Sequence, residues 1–276
     1  MFLSQFQHAL SQLIGKLAFC RWKWLKNWLI RLFMSYYQVD LSEAEQQELS
    51  AYPHFNAFFV RALKTSSRKV DADPSVMVSP VDGIISQYGT SQKGQLIQAK
   101  KFNYSLLSLL TPEFSCLSQF SEAKFATLYL APRNYHRVHM PLTGKLQKMW
   151  FVPGSLYSVN EKSVNQIQGV FARNERVITL FETKAGLMIM VLIGAMLVRS
   201  ISTSWEGIIA PNKLKKIISW NYQTQNITLE KGQEMGRFQY GSTVIVLFEN
   251  ENIQWNAALK SGDNIVLGQK LWYIFD

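Results

Sequence analysis

From Val76 onward the chain breaks into short apolar stretches separated by Gly, Pro, Asn and Ser, and no other feature limits its fold as much. Val76–Val78, Gly83–Ser86, Phe125–Leu130, Lys145–Val152, Val177–Phe181 and Val244–Phe248 are of strand length, and several are rich in β-branched and aromatic residues. Such a pattern predicts a β-rich core with tight turns. The uncharged run Ala185–Val198 is too short to span a bilayer and holds Gly186 and Gly194, so it is expected to form two buried strands with a turn between them. Before Asp73-Pro74 the pattern is helical. Residues 40–63 predict short helices, the first opening on a capped, acidic turn at Asp40-Leu41-Ser42-Glu43-Ala44-Glu45. The expected class is α+β, with N-terminal amphipathic helices followed by a β-rich core. With 276 residues there is ample chain to bury that core, as one large domain or two small ones.

Charge narrows the partners. The net charge is +10, which calls for an anionic partner such as nucleic acid, acidic lipid or a phosphate-bearing substrate. Residues 1–39 hold Lys16, Arg21, Lys23, Lys26 and Arg31 with no acidic residue, together with Trp22, Trp24 and Trp28. Phe2, Phe6, Leu10, Leu13, Ile14 and Leu17 repeat at helical spacing. A second helical pattern places Leu25, Trp28, Leu29, Leu32, Phe33 and Tyr36 on one side, with Lys23, Lys26 and Arg31 turned away from it. No apolar run here is long enough to span a bilayer, and a signal peptide fits poorly because the basic residues follow the apolar stretch. Amphipathic helices bearing Trp, Phe and Lys/Arg suit a membrane surface; two helices covering a core are the plainer alternative. Nucleic acid is disfavoured, because the aromatic residues follow helix spacing and are not interleaved along strands as stacking platforms. Elsewhere the basic residues are mixed with acidic ones, apart from a cluster at Lys213, Lys215 and Lys216. Cys20 and Cys116 are too few to staple the fold, and with four histidines and no C-x-x-C no metal site is expected.

Three segments carry groups fit for chemistry. Tyr135-His136-Arg137-Val138-His139 holds two histidines three positions apart, so in an extended segment they face opposite sides and serve different purposes. Ser79-Pro80-Val81-Asp82-Gly83 offers a carboxylate at a turn signal. Gly241-Ser242-Thr243 precedes a strongly β run, and its glycine permits close backbone approach around the hydroxyl. Alone, each is as readily a surface loop, a hairpin turn or a strand-entry turn. Together, Asp, His and Ser permit hydroxyl activation, the Asp fixing the imidazole tautomer and the imidazole taking the serine proton. There is no G-x-S-x-G nucleophile elbow.

In this order the segments resemble the bacterial phosphatidylserine decarboxylase proenzymes of the pyruvoyl-dependent type. The resemblance runs from Phe55-Asn56-Ala57-Phe58-Phe59-Val60-Arg61 through Ser79–Gly83, Gln98-Ala99-Lys100, Asn103-Tyr104-Ser105-Leu106 and Tyr135–Gly144. It continues through Pro153-Gly154, Ser158-Val159-Asn160, Phe171–Val177 and Lys231–Phe238 to Gly241-Ser242-Thr243. The chain departs from the usual family pattern at Tyr240 (Leu), Lys101 (Gly), Arg199 (Gly) and Lys69 (Pro), none of which removes a proposed chemical group.

The resemblance implies that Asp82, His139 and Ser242 form a self-cleavage triad, and that His136 acts in decarboxylation. It also implies that the Gly241–Ser242 bond is cut. Residues 1–39 would be a membrane-associating segment and residues 40–276 the decarboxylase domain. Cleavage would give a beta chain, 1–241, and an alpha chain, 242–276. Ser242 would become a covalent pyruvoyl cofactor that takes up the amine of phosphatidylserine and yields phosphatidylethanolamine for phospholipid biosynthesis. The two chains would stay together as a heterodimer, with further dimerisation open, as a peripheral protein on the cytoplasmic face of the inner membrane. Two alternatives differ in class. One is a Ser-His-Asp hydrolase without self-cleavage. The other is a non-catalytic carrier domain, because Ser261–Gln269 and Pro80–Gly83 look like turns of biotinyl and lipoyl domains. No Met-Lys pair stands in a plausible turn, so that likeness is one of β architecture, and gives the core its expected barrel-sandwich form.

Overall fold

The computed structural model describes residues 17–99, 102–114, 116–195, 201–209, 216–239 and 242–275. Most of the apolar pattern from Phe2 to Leu17 lies outside these residues. So do Lys100, Lys101, Arg199, Lys213, Lys215, Tyr240 and Gly241.

Strands and helices are numbered along the chain. Nine strands form the large sheet, in the order β12 (Ile218–Asn221), β7 (Gly144–Val152), β8 (Arg176–Thr183), β9 (Gly186–Gly194), β15 (Ser242–Phe248), β5 (Lys124–Leu130), β2 (Gly83–Thr90) and β17 (Asn264–Ile265), with β13 (Thr228–Leu229) also on β7. A four-stranded sheet runs β11 (Gly207–Ile209), β10 (Ile201–Thr203), β14 (Glu234–Phe238) and β6 (Arg137–His139). A third sheet joins β1 (Val76–Val78), β18 (Lys270–Ile274) and β16 (Ile253–Trp255), and β3 (Gln95–Ala99) pairs with β4 (Phe102–Ser105). The helices are α1 (Lys23–Tyr37), α2 (Phe55–Phe59), α3 (Leu106–Leu110), α4 (Glu161–Gln166) and α5 (Val170–Arg173). The mixed α+β class is as expected. No sheet closes into a barrel among the described residues.

Strand periodicity divides the core. Along β15, Ile245 and Leu247 face a cluster built from Ile30 of α1, Phe55, Phe58 and Phe59 of α2, and Leu106, Leu109 and Leu110 of α3. Val244, Val246 and Phe248 face the other way, into a cluster with Val138, Met235 and Phe238 of the four-stranded sheet and Leu271 and Trp272 of β18. The large sheet thus has the helices and the β3–β4 pair on one face and the three- and four-stranded sheets on the other. Every residue of β15 is buried, and all seven pair with both β9 and β5. A strand buried on both faces reads as a near-continuous run of β-branched residues, as Thr-Val-Ile-Val-Leu-Phe does.

Three expectations are corrected. Ala185–Val198 does not turn back on itself within its described part. A single strand, β9, runs from Gly186 to Gly194, and Gly186 (φ 94°) sits in the β8–β9 turn, where a left-handed conformation favours glycine. Asp40 does not open a helix. Its carboxylate accepts hydrogen bonds from Ser42 N and Oγ, both at 2.7 Å, and this local turn competes with the helix. Lys26 is not on a solvated face. It is 3% exposed, and its ammonium donates to Leu49 O (3.0 Å), Ser50 O (3.1 Å) and Tyr52 O (2.6 Å). Its three donors meet three carbonyls, so the charge is buried at hydrogen-bonded cost.

With Lys26, Ile30 and Phe33 turned inward, α1 presents Trp24, Trp28, Leu32 and Tyr36 outward at four-residue spacing, each more than half exposed. Trp22 stands beside them at 66% exposure. On the inner side Phe33 meets the rings of Phe55, Phe58 and Phe59 at 5.2, 6.1 and 5.8 Å. Among the described residues no helix is long and apolar enough to cross a membrane.

Candidate active site

The strand register sets one row across the large sheet. Ser242 opens β15 opposite Leu130 of β5 on one side and Gly194 of β9 on the other. One step beyond the pair Ile84–Tyr129, the same register sets Gly83 opposite Leu130. A Cβ on Gly83 would come 2.4 Å from Tyr129 O, so only glycine lets β2 approach β5 this closely at the row. At the far side, Gly194 N donates to Glu175 O (2.9 Å), bringing Glu175 into line. The Ser242 side chain is fully buried, and its Oγ has no hydrogen-bond partner.

The histidines arrive from the four-stranded sheet. β6 pairs antiparallel with β14, and Phe238 N donates to His136 O at 3.0 Å. Four residues beyond Phe238 the chain enters the large sheet as Ser242. Pairing of Arg137–His139 with Glu234–Arg237 therefore draws the two-histidine segment toward the hydroxyl, aided by the Arg137–Glu234 (3.0 Å) and Arg237–Glu234 (2.7 Å) ion pairs.

His139 ends β6, and its backbone N donates to Pro80 O at 2.8 Å, two residues from Asp82. Its Nδ1 lies 2.8 Å from Gly232 O. A carbonyl only accepts, so Nδ1 carries the proton and Nε2 keeps its lone pair. Tyr135 Oη lies 3.1 Å from that nitrogen, and burial pushes the phenol up to about 12, so it remains a donor. Burial lowers the His139 pKa, and the Gly232 hydrogen bond partly restores it. At neutral pH this is an uncharged imidazole with a basic nitrogen.

Asp82 is placed otherwise than the sequence suggests. It is 5% exposed at the entry to β2, yet makes no hydrogen bond to His139. Its Oδ1 accepts from Arg68 Nε (2.9 Å) and Leu267 N (2.8 Å), and its Oδ2 from Arg68 Nη2 (2.5 Å). Arg68 in turn holds Glu43 at 2.8 Å. The Gly232 carbonyl performs the tautomer-fixing task expected of Asp82, whose charge still favours the protonated imidazole from a distance. Sequence reasoning singled out none of Gly232, Tyr135 and Arg68 for these tasks. Only Tyr135, beside the histidines, carried a positional signal.

His136 has a different environment, as its spacing from His139 implies. It is fully buried and stacks on Phe59, with centroids 4.1 Å apart and planes at 13°. Neither ring nitrogen makes a well-formed hydrogen bond. Burial and then the Arg61 cation push its pKa down to about 3, against a small opposing effect of the Pro132 backbone. It is therefore neutral over the physiological range. Glu175, 5% exposed, has no ion-pair partner among the described residues, and burial raises its carboxyl to about 7.

An orphaned buried hydroxyl opens β15, while an uncharged imidazole base and a second neutral imidazole are carried by the segment paired with β14, the strand that precedes it. The chain is similar in sequence to known proteins. A family model described as phosphatidylserine decarboxylase matches residues 55–273, and one described as PSD matches residues 7–38. The phosphatidylserine decarboxylase proenzyme of Ectopseudomonas mendocina is 47% identical over 275 residues, covering 98% of this chain and 96% of its own. Its namesake from Pseudomonas fluorescens is 47% identical over 266 residues (96% and 92%), and that from Shewanella baltica 48% over 250 residues (90% and 86%). With a family match over residues 55–273 and identity near half over almost the full length, the chain belongs to the phosphatidylserine decarboxylase family.

Proposed function

We infer that this chain is a self-processing phosphatidylserine decarboxylase, a carboxy-lyase that converts phosphatidylserine to phosphatidylethanolamine with a pyruvoyl group derived from Ser242. One observation carries the assignment of the group: in a chain of this family, Ser242 is a fully buried serine with an unpartnered hydroxyl, following Gly241 at the head of a central strand. The residues fit the group, because the row beside Ser242 includes the glycine Gly194 and no formal charge touches the hydroxyl.

In cleavage, His139 Nε2 takes the Ser242 proton once Tyr135 yields the nitrogen. The Ser242 oxygen attacks the Gly241 carbonyl, and an ester replaces the amide as the Ser242 nitrogen is released. Loss of the Ser242 α-proton expels the Gly241 carboxylate and leaves a dehydroalanine. Its enamine tautomerises, and one water hydrolyses it to the ketone with loss of ammonia. Asp82, through Arg68 and Leu267, holds the β2 entry and the Pro80–His139 contact in place, and acts on His139 as a charge at a distance.

In decarboxylation the pyruvoyl group supplies a ketone for the substrate's amine and an electron sink when carbon dioxide leaves. His136, uncharged, would relay a solvent proton to the carbon that loses the carboxylate, taking it up at one ring nitrogen as the other gives its own up, so that the ring stays neutral throughout. The outward stripe of α1 and its neighbouring Arg21, Lys23 and Arg31 support binding to an anionic bilayer. Its inner face meets Phe59 through Phe33, and Phe59 stacks on His136, a pair of ring contacts that supports a substrate reaching the site from the bilayer. On this reading residues 1–39 are the membrane segment and 40–276 the decarboxylase domain. The protein works peripherally on the cytoplasmic face of the inner membrane, with its cleaved chains held as a heterodimer that can dimerise further. The core shared by the large and the four-stranded sheets supports the reading of a sandwich-like architecture.

Intact-mass analysis tests the assignment. Purified protein should give two chains, 1–241 and an amine-blocked 242–276, and Ser242→Ala a single one. A single full-length chain from active protein, with Ser242 labelled by a serine-hydrolase probe, would favour the hydrolase instead.

A further inference from the structure

Arg61 is a buried cation without an anion. It follows α2 and is 5% exposed. Nη2 donates to Arg133 O at 3.1 Å, while Nε and Nη1 are buried with no partner. Among the described residues it has no ion pair. Asp82, the candidate anion of the site, is committed to Arg68 and Leu267. The Phe58 ring, 5.6 Å from Cζ, is the other group recorded against the guanidinium. Burying an unpaired guanidinium is costly, so its retention calls for an anion that arrives from outside.

Its position says where that anion sits. Arg133 lies in the link between Leu130, the cross-strand partner of Ser242, and His136. Phe59, two residues before Arg61, stacks on His136, whose own nitrogens are unpartnered and which senses the Arg61 charge. Arg61 and His136 are thus tied together through Phe59 and through the segment that leads from the partner of Ser242, and both carry nitrogens without a partner.

Given the decarboxylase reading, on which this step rests, the substrate brings two anions. The carboxylate loses its charge as carbon dioxide departs, so an arginine clamped on it would stabilise the ground state more than the transition state. The phosphodiester keeps its charge throughout, and guanidinium suits phosphate oxygens. We propose that Arg61 is the phosphate-binding residue of the site, holding the phosphodiester of the lipid headgroup while His136 faces the departing carboxylate.

Reductive trapping of amines on the cleaved enzyme separates the two anions. Protein shown by intact mass to be cut is treated with cyanoborohydride and dihexanoyl phosphatidylserine, dihexanoyl phosphatidylethanolamine or free L-serine, and the adduct on chain 242–276 is measured. Arg61→Gln should weaken capture of both lipids by roughly 10- to 100-fold, the loss expected for a charged hydrogen-bonding partner, and leave L-serine unchanged. Arg61→Lys, which keeps the charge and is the gentler change, should fall between the two. Loss confined to phosphatidylserine and L-serine would make the carboxylate the ligand and overturn the proposal. Equal capture of every amine by wild type and both variants would overturn it too, as would equal loss of all three. Wild-type protein that traps no amine refutes the pyruvoyl reading itself, a result distinct from any effect of Arg61.

Discussion

Glu175 offers the sharpest quantitative test of the site's electrostatics. Its carboxyl titrates near 7 in the fold against an ordinary 4.5, and burial is the cause. Below pH 4.5 it is protonated in both folded and unfolded chains. Between 4.5 and 7 the unfolded chain ionises and the folded one does not, so stability falls as pH rises through that window, and above 7 the loss is complete. At about 1.4 kcal/mol per pH unit the loss reaches about 3 kcal/mol. Glu175→Gln retains the shape and removes the titration. On the uncleaved Ser242→Ala background it should match its parent at pH 4.5 and exceed it by about 3 kcal/mol at pH 8, roughly 5–10 °C in Tm. The assay is the difference in thermal midpoint between the two proteins from pH 4.5 to 8, in which the titrations of His136 and His139 cancel. A pH-independent difference, or one that grows toward acid, would show that burial does not hold Glu175 in its protonated form in the fold.

Other outcomes follow from single contacts. His139→Ala should leave one uncut chain by intact mass, and Asp82→Asn should slow the cut by loosening Arg68 and the β2 entry. His136→Ala should still cut but decarboxylate at least 100-fold more slowly, the upper part of the range for a lost proton-transfer group; an uncut product would contradict the separation of tasks. Lys26→Ala strips three carbonyls of their donor and should cost roughly 3 kcal/mol in chemical denaturation. Replacing Trp24 and Trp28 together with Ser should reduce binding to anionic liposomes at least tenfold while the cut proceeds, and unaltered sedimentation with vesicles would refute the role of the α1 stripe.

The elements legible in the sequence were those whose signal is local. The Val244–Phe248 run declared a buried strand, and the spacing of His136 and His139 foretold their separate surroundings. Lys26 was misread because periodicity sorts residues by type, and a lysine that meets three carbonyls has the same letter as a solvated one. Asp82 was located but its partner was not, since the Arg68 contact and the Gly232 carbonyl depend on how distant segments meet. The row Gly83–Leu130–Ser242–Gly194–Glu175 has no sequence signature at all. It exists only through the register of β2, β5, β15, β9 and the residue before β8.

The two sides of the Gly241–Ser242 bond belong to different layers. Upstream, β14 is fastened to β6 in the four-stranded sheet; downstream, β15 is fastened along its whole length to β9 and β5. Severing the bond therefore unravels neither layer. On the proposed reading the piece 242–276 would stay seated after the cut, gripped on both flanks by the seven paired residues of β15.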